Sequence, residues 1–285
     1  MTQPDRPAGR GQKLVPTPVC EAAEALGLRV LTPEKLRPEI DEVRALGADL
    51  FVVASYGKIL PQAVLDLAPH GAFNVHPSLL PLYRGATPLQ SAIRDGRTET
   101  GTTIIMMDAG MDTGDVLLQE TTALGPDETY GTLHDRLAAR GAALLVRALD
   151  QFEAGTLVRT LQDAMHVSAA DIAATLTRPM SKDDTLIDWS RSSRSIVDLV
   201  RSLVPKPGAR GAIGTDVIAK FGALHAAELP DAERSASPGT LIFAGSDVLV
   251  RTGDGAVAID RIVPPNRSEM SGRDFARSYL AANKS

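Results

Sequence analysis

The sequence predicts an α/β protein: an open, mostly parallel sheet flanked by helices, followed by a smaller β barrel. Two observations carry the prediction. Through residues 1–155 short apolar runs alternate with helix-patterned segments, the rhythm of strands covered by helices. After a mixed stretch, expected to be a linker over residues 156–184, short β-rich runs separated by turns fill residues 185–285.

Each element has its own signal. Residues 1–18 carry Pro4, Pro7, Pro16, Pro18, Gly9 and Gly11 and are expected to stay a loop. A helix over 19–26 stops at Gly27, and a short strand covers 28–31. The next helix, 37–46, has Pro38 in its first turn and Gly47 just past its end. Residues 50–54 form a continuous apolar run, as in a strand buried on both faces. A helix over 61–67, a strand over 72–75, a helix over 88–94 and strands over 102–107 and 115–119 continue the alternation. The long helix over 129–152 has a core-facing stripe of Leu133, Leu137, Leu144, Leu145, Ala148, Leu149 and Phe152. A short helix over 170–175 falls in the linker. Residues 193–204 are amphipathic, with Ile196, Leu199, Val200 and Leu203 on one side and Arg191, Arg194 and Arg201 on the other. Strands over 214–221, 239–244, 248–251 and 256–262 complete the second unit.

Composition excludes several classes. The 285 residues are 44% hydrophobic and 23% charged, as in ordinary globular proteins. A net charge of −5 argues against a chain coated with nucleic acid, although local basic patches remain. One such patch is Arg6, Arg10 and Lys13. Another spans 191–210, where Arg191, Arg194, Arg201, Lys206 and Arg210 face a single acid, Asp198. A single cysteine, Cys20, leaves no internal disulfide and fits a reducing compartment. No apolar run approaches the ~20 residues that cross a bilayer, and the polar N-terminus has no signal-peptide core. A cytoplasmic monomer is expected.

The chemistry concentrates in residues 71–115. Asn74 and His76 sit at i and i+2 on a strand, so their side chains share a face, and Pro77 ends the strand there. Strand ends of α/β sheets commonly carry reactive groups. A second strand stops at a glycine-bearing turn with Asp108, Asp112 and Asp115, any of which could bring a carboxylate to the Asn–His pair. Spacing alone leaves turn and site evenly matched there. No histidine set has zinc spacing, and no calcium loop is present, so no metal is expected. Gly9 and Gly11 lack the preceding strand of a dinucleotide fingerprint.

Taken together, residues 74–81 (NVHPSLLP), Tyr83-Arg84-Gly85 and residues 110–115 (GMDTGD) resemble the folate-dependent formyltransferase superfamily. The loop at residues 3–11 (QPDRPAGRG), the stretch 182–190 and the turns at 207–209 and 252–255 are similar to the methionyl-tRNA formyltransferase branch. The resemblance implies a Rossmann-like sheet of the formyltransferase type and an OB-like C-terminal barrel. It implies formyl transfer from 10-formyltetrahydrofolate to the α-amine of methionyl initiator tRNA, with Asn74, His76 and Asp112 catalytic. Tyr56, Gly57, Ile59, Leu60, Ser78, Leu79, Leu80, Pro81 and Met111 are then expected to bind folate. Arg6, Arg10, Lys13, Arg191, Arg194, Arg201 and Lys206 would bind tRNA. The family also has a further strand and helix of roughly thirty residues ahead of the QPDRPAGRG loop. The expectation is therefore a sheet lacking a strand, through a misplaced start or a true truncation. A sugar-amine formyltransferase, a formyl-folate hydrolase and an inactive RNA-binding remnant are the alternatives to the main reading.

Overall fold

The computed structural model describes residues 1–8, 12–35, 40–213, 217–245 and 247–282, with the backbone alone for 280–282. A hairpin of β1 (Arg6–Ala8) and β2 (Lys13–Val15) opens the chain, paired antiparallel from Arg6 opposite Val15 to Ala8 opposite Lys13. The expected proline-rich loop is therefore a hairpin with ladder pairing. Arg10, Gly9 and Gly11 lie outside the described residues. Helix α1 (Pro18–Ala25) is capped by Thr17, whose hydroxyl accepts from the Cys20 amide. Residues 28–31, expected as a strand, do not form one. Leu31 uses its carbonyl to accept from the Thr2 amide, so that run is spent on the N-terminal segment.

Helix α2 (Ile40–Arg44), β3 (Phe51–Val53) and α3 (Gln62–Leu65) lead to β4 (Ala72–His76). Then come α4 (Pro88–Arg94), β5 (Glu99–Met106), β6 (Val116–Ala123) and α5 (Tyr130–Glu153). The four-stranded sheet runs β3-β4-β5-β6. Only β3–β4 is parallel; β4–β5 and β5–β6 are antiparallel. The expected α/β layering is present, but among the described strands the sheet is mixed rather than mostly parallel. Direction is not encoded in an apolar run, because a buried strand needs the same side chains either way.

On one sheet face Phe73, Ile104 and Leu117 pack with Leu144 and Ala148 of α5. Gly141 of that helix lies so near the sheet that a Cβ there would meet the Val75 side chain at 3.0 Å. The other face is covered by Leu80, Ile105, Val116 and Met165. Met165 belongs to a short 3-10 turn (Gln162–Met165) in the supposed linker, so this segment is part of the N-terminal unit's wall. Helix α6 (Ala169–Ala174) follows it.

The C-terminal unit comprises α7 (Ser193–Ser202), β7 (Ala209–Ile213), β8 (Val217–Ala227), β9 (Leu241–Ala244), β10 (Asp247–Arg251), β11 (Ala256–Val263), β12 (Met270–Ser271) and α8 (Gly272–Ala282). Its antiparallel sheet has the order β7-β8-β11-β10-β9, with β12 added to β11. No ladder joins β7 to β9 among the described residues, so the expected barrel is an open sheet. Trp189, Ile196, Val200, Phe221, Val257 and Ile262 form its core, which Phe275 of α8 helps to close. Sequence reading missed α8, whose first residue, Gly272, follows β12 directly without a loop. Among the described residues no helix is long and apolar enough to cross a membrane.

Candidate active site

Strand alternation decides which side chains are available. Phe73 and Val75 point to α5 and the core, so Asn74 and His76 project from the opposite face of β4. His76 is only 4% exposed. Its Nε2 lies 3.0 Å from the Tyr83 carbonyl oxygen. A carbonyl can only accept, so Nε2 carries the hydrogen and the neutral ring keeps its lone pair on Nδ1. Nδ1 stands 3.6 Å from Asp112 Oδ2, within ion-pair range. Burial pushes the His76 pKa below its ordinary value, opposed by the Asp112 charge and by the bond to Tyr83.

Asp112 reaches this position through an unusual backbone. Its φ is +55°, in the left-handed region that costs a non-glycine residue free energy. Its Oδ2 also accepts from the Gly85 amide at 2.9 Å, so one carboxylate oxygen is fixed between a backbone donor and the imidazole. Asp108 has another use. It accepts from the Gly110 amide and the Thr113 hydroxyl, closing the turn in which Asp112 sits. The Tyr83–Gly85 loop is also held: Tyr83 has φ +59° and its hydroxyl lies between Arg97 and Asp95. Burial, helped by the Asp95 carboxylate and opposed by Arg97, pushes the Tyr83 pKa up to about 12.

The residues expected to bind folate divide. Ser78, Leu80 and Pro81 are buried. Ser78 donates to the Leu82 carbonyl, and Leu80 packs under the sheet with both backbone groups bonded to Thr103 and Gln119. These three therefore shape the loop from within instead of offering side chains to a ligand. Leu79 is half-buried beside them. By contrast Ile59 is 86% exposed and Met111 63% exposed. Tyr56, Gly57 and Leu60 lie in the loop leaving β3, whose parallel pairing with β4 puts Val53 beside Asn74. That loop is tied down by Gln3, which donates to the Tyr56 carbonyl, and by Lys58, which donates to the carbonyls of Pro33 and Glu34.

The basic residues also separate. Arg6 and Lys13 are exposed on the β1–β2 hairpin, and Arg191, Arg194 and Lys206 are exposed around α7. Arg201 is not part of that surface. It is 5% exposed, bonded through Nε to Asp198 at 2.7 Å and through its other nitrogens to the carbonyls of Ile93, Gly125 and Glu128. Helical projection put it beside Arg194, but α7 packs on α4 at Arg201 and leaves Arg194 outside. A cavity of about 780 Å³ between the two units, lined in part by Tyr130, His134, Lys206 and Lys220, contains none of Asn74, His76 or Asp112. No group of side chains suited to a metal ion occurs among the described residues.

Sequence reading also missed Gln162, which is buried beneath the Asp112 turn. A glutamine in a mixed stretch carries no periodic or spacing signal.

Known proteins resemble this chain throughout its length. A family profile described as "Formyl transferase" matches residues 1–149, and one described as "Formyl transferase, C-terminal domain" matches 179–280. A methionyl-tRNA formyltransferase of Geotalea daltonii is 44% identical over 285 residues, covering 99% of this chain and 87% of the relative. The enzyme of that name from Gluconobacter oxydans is 44% identical over 279 residues, 97% of this chain and 86% of its own. Among solved structures, an N-formyltransferase from Helicobacter canadensis with folinic acid and dTDP-3-aminofucose shares the fold at a TM-score of 0.65 and 16% identity, over 90% of this chain and 86% of that one. HypX from Aquifex aeolicus with tetrahydrofolic acid superposes at 0.60 and 20% identity, over 85% of this chain but 41% of HypX. With both profiles matched and relatives this similar over nearly all of its residues, the chain belongs to the methionyl-tRNA formyltransferase family and is a formyl-transferring enzyme.

Proposed function

We propose that this protein moves the formyl group of 10-formyltetrahydrofolate onto the α-amine of methionyl initiator tRNA, with Asn74, His76 and Asp112 as the catalytic set. The observation that supports it best is the His76–Asp112 pair, 3.6 Å apart at the end of β4 on the face that Asn74 shares. Attack by the neutral amine on the formyl carbon forms the new C–N bond and leaves an oxyanion and a cationic nitrogen. Asn74 supplies an amide donor to the oxyanion. His76 takes the amine proton on Nδ1, and Asp112 offsets the charge that appears there; the proton is then passed to the departing folate nitrogen. Because Nε2 is engaged by Tyr83, proton carriage suits His76 better than service as a second oxyanion donor.

The surroundings fit a folate. Exposed Ile59 and Met111 offer apolar surface beside the strand ends, and the backbone of Tyr56, Gly57 and Leu60 can read a pterin edge. Leu79 completes that reading. Exposed Arg6, Lys13, Arg191, Arg194 and Lys206 would contact tRNA phosphates, joined by Arg10 on sequence grounds. A cytoplasmic monomer belongs to the same proposal. The test is single-turnover formylation of methionyl-tRNA by Asn74→Ala and His76→Ala proteins. Asn74→Ala is expected to lower the rate roughly 10²–10³-fold with folate affinity kept. Rates within threefold of the unchanged protein in both variants would overturn the assignment.

A further inference from the structure

We infer that Gln162, in the segment between the two units, is a positioning residue that sets the Asp112 carboxylate against His76. This rests on the catalytic reading of that pair.

The amide of Gln162 is 4% exposed and uses all of its main bonding capacity on the site's supports. Nε2 donates one hydrogen to the Asp112 carbonyl at 2.8 Å and the other to the Gly114 carbonyl at 2.7 Å. Oε1 accepts from Arg84 Nε at 3.0 Å and Nη2 at 2.7 Å. Gln162 therefore bonds both halves of the site. One half is the left-handed turn that carries Asp112. The other is the loop around Arg84, in which Tyr83 fixes His76 Nε2 and Gly85 fixes Asp112 Oδ2. The segment continues the work downstream: Thr175 accepts from the Tyr83 amide, and Thr177 donates to the Arg84 carbonyl through both its amide and its hydroxyl.

The chemistry requires an amide at this position. Two carbonyls need two donors, and a guanidinium needs an acceptor; a side-chain amide offers both on adjacent atoms. A carboxylate would keep Arg84 and turn lone pairs on the two carbonyls. Asp112 then loses the restraint on its left-handed backbone, and the 3.6 Å geometry with His76 loosens.

The experiment compares Gln162→Glu, Asp112→Asn and the double variant in methionyl-tRNA formylation. Gln162→Glu should lower kcat about 10–100-fold and keep both KM values within about twofold, and Gln162→Met, which removes the amide without adding a charge, should move the acid limb of the pH profile in the same direction as Asp112→Asn. The double variant should sit within about threefold of Asp112→Asn, because the two changes act through one carboxylate. Losses that multiply, or a change confined to stability or KM, would overturn the inference while leaving the catalytic reading intact. Full activity in Asp112→Asn would bring down the catalytic reading and this inference with it. Should Gln162→Glu fail to fold, Arg84→Lys removes the fork on Oε1 and should give a smaller shift of the same kind; an unshifted pH profile there overturns the inference.

Discussion

At the scale of the residue, His76 is governed by opposing forces. Burial favours the neutral ring, and Asp112 and the Tyr83 carbonyl favour the charged one, with burial ahead. The acid limb of kcat/KM should therefore fall below about 6.5, the ordinary histidine value. Asp112→Asn should move that limb lower still, since it removes the charge that opposes burial. A pH–rate series on both proteins checks this, and an upward move would contradict it. The stability sign follows. The unfolded chain binds the proton more readily, so the contribution of neutral His76 is complete above about pH 6.5 and is lost as pH falls toward the folded pKa. Asn74 and His76 could be named from sequence because strand period and the following proline place them. The tautomer could not, because it depends on the Tyr83 carbonyl, seven positions along and turned back by a positive φ.

At the scale of the element, the turn that carries Asp112 and the loops beside it are held by close backbone approaches. Gly85 has φ +109°, and a Cβ there would lie 2.1 Å from the Thr177 carbonyl oxygen. Gly85→Ala should cost roughly 2–4 kcal/mol, read by urea denaturation, and should also lower activity, since the same residue's amide holds Asp112. Helices α4 and α5 were placed by sequence almost to the residue, because Pro88 and Thr129 start them and each buries a clear stripe. The strand expected at 28–31 failed because a strand needs a neighbour to pair with, and an apolar run cannot specify one.

At the scale of the whole molecule, the two units are clamped through Arg201. Its guanidinium reaches the last turn of α4 and the loop before α5, while Asp198 neutralises it and Arg194 supports Asp198 from outside. Arg201→Ala leaves the buried Asp198 carboxylate with Arg194 alone and takes a charged donor from three carbonyls, and should cost about 2–4 kcal/mol by chemical denaturation. A loss under 1 kcal/mol would show the clamp to be idle. The exposed basic residues predict another behaviour. Replacing Arg191 and Arg194 together by alanine should raise KM for charged tRNA, leave folate KM unchanged, and flatten the salt dependence by about 0.7–0.9 per lost phosphate contact. An unchanged salt slope would remove them from the RNA surface.

Local pattern determined the helices, the apolar strands, the two-unit division of texture and the residue types at the site, because period, capping and turn chemistry act over a few positions. Tertiary structure decided strand direction, the burial of Arg201, Ser78 and Leu80, and the pairing of Asp112 with His76. Each of these depends on which distant backbone group lies opposite. The carbonyls that Gln162 and Arg201 satisfy are invisible in sequence, since every residue has one and only the fold says which need a partner.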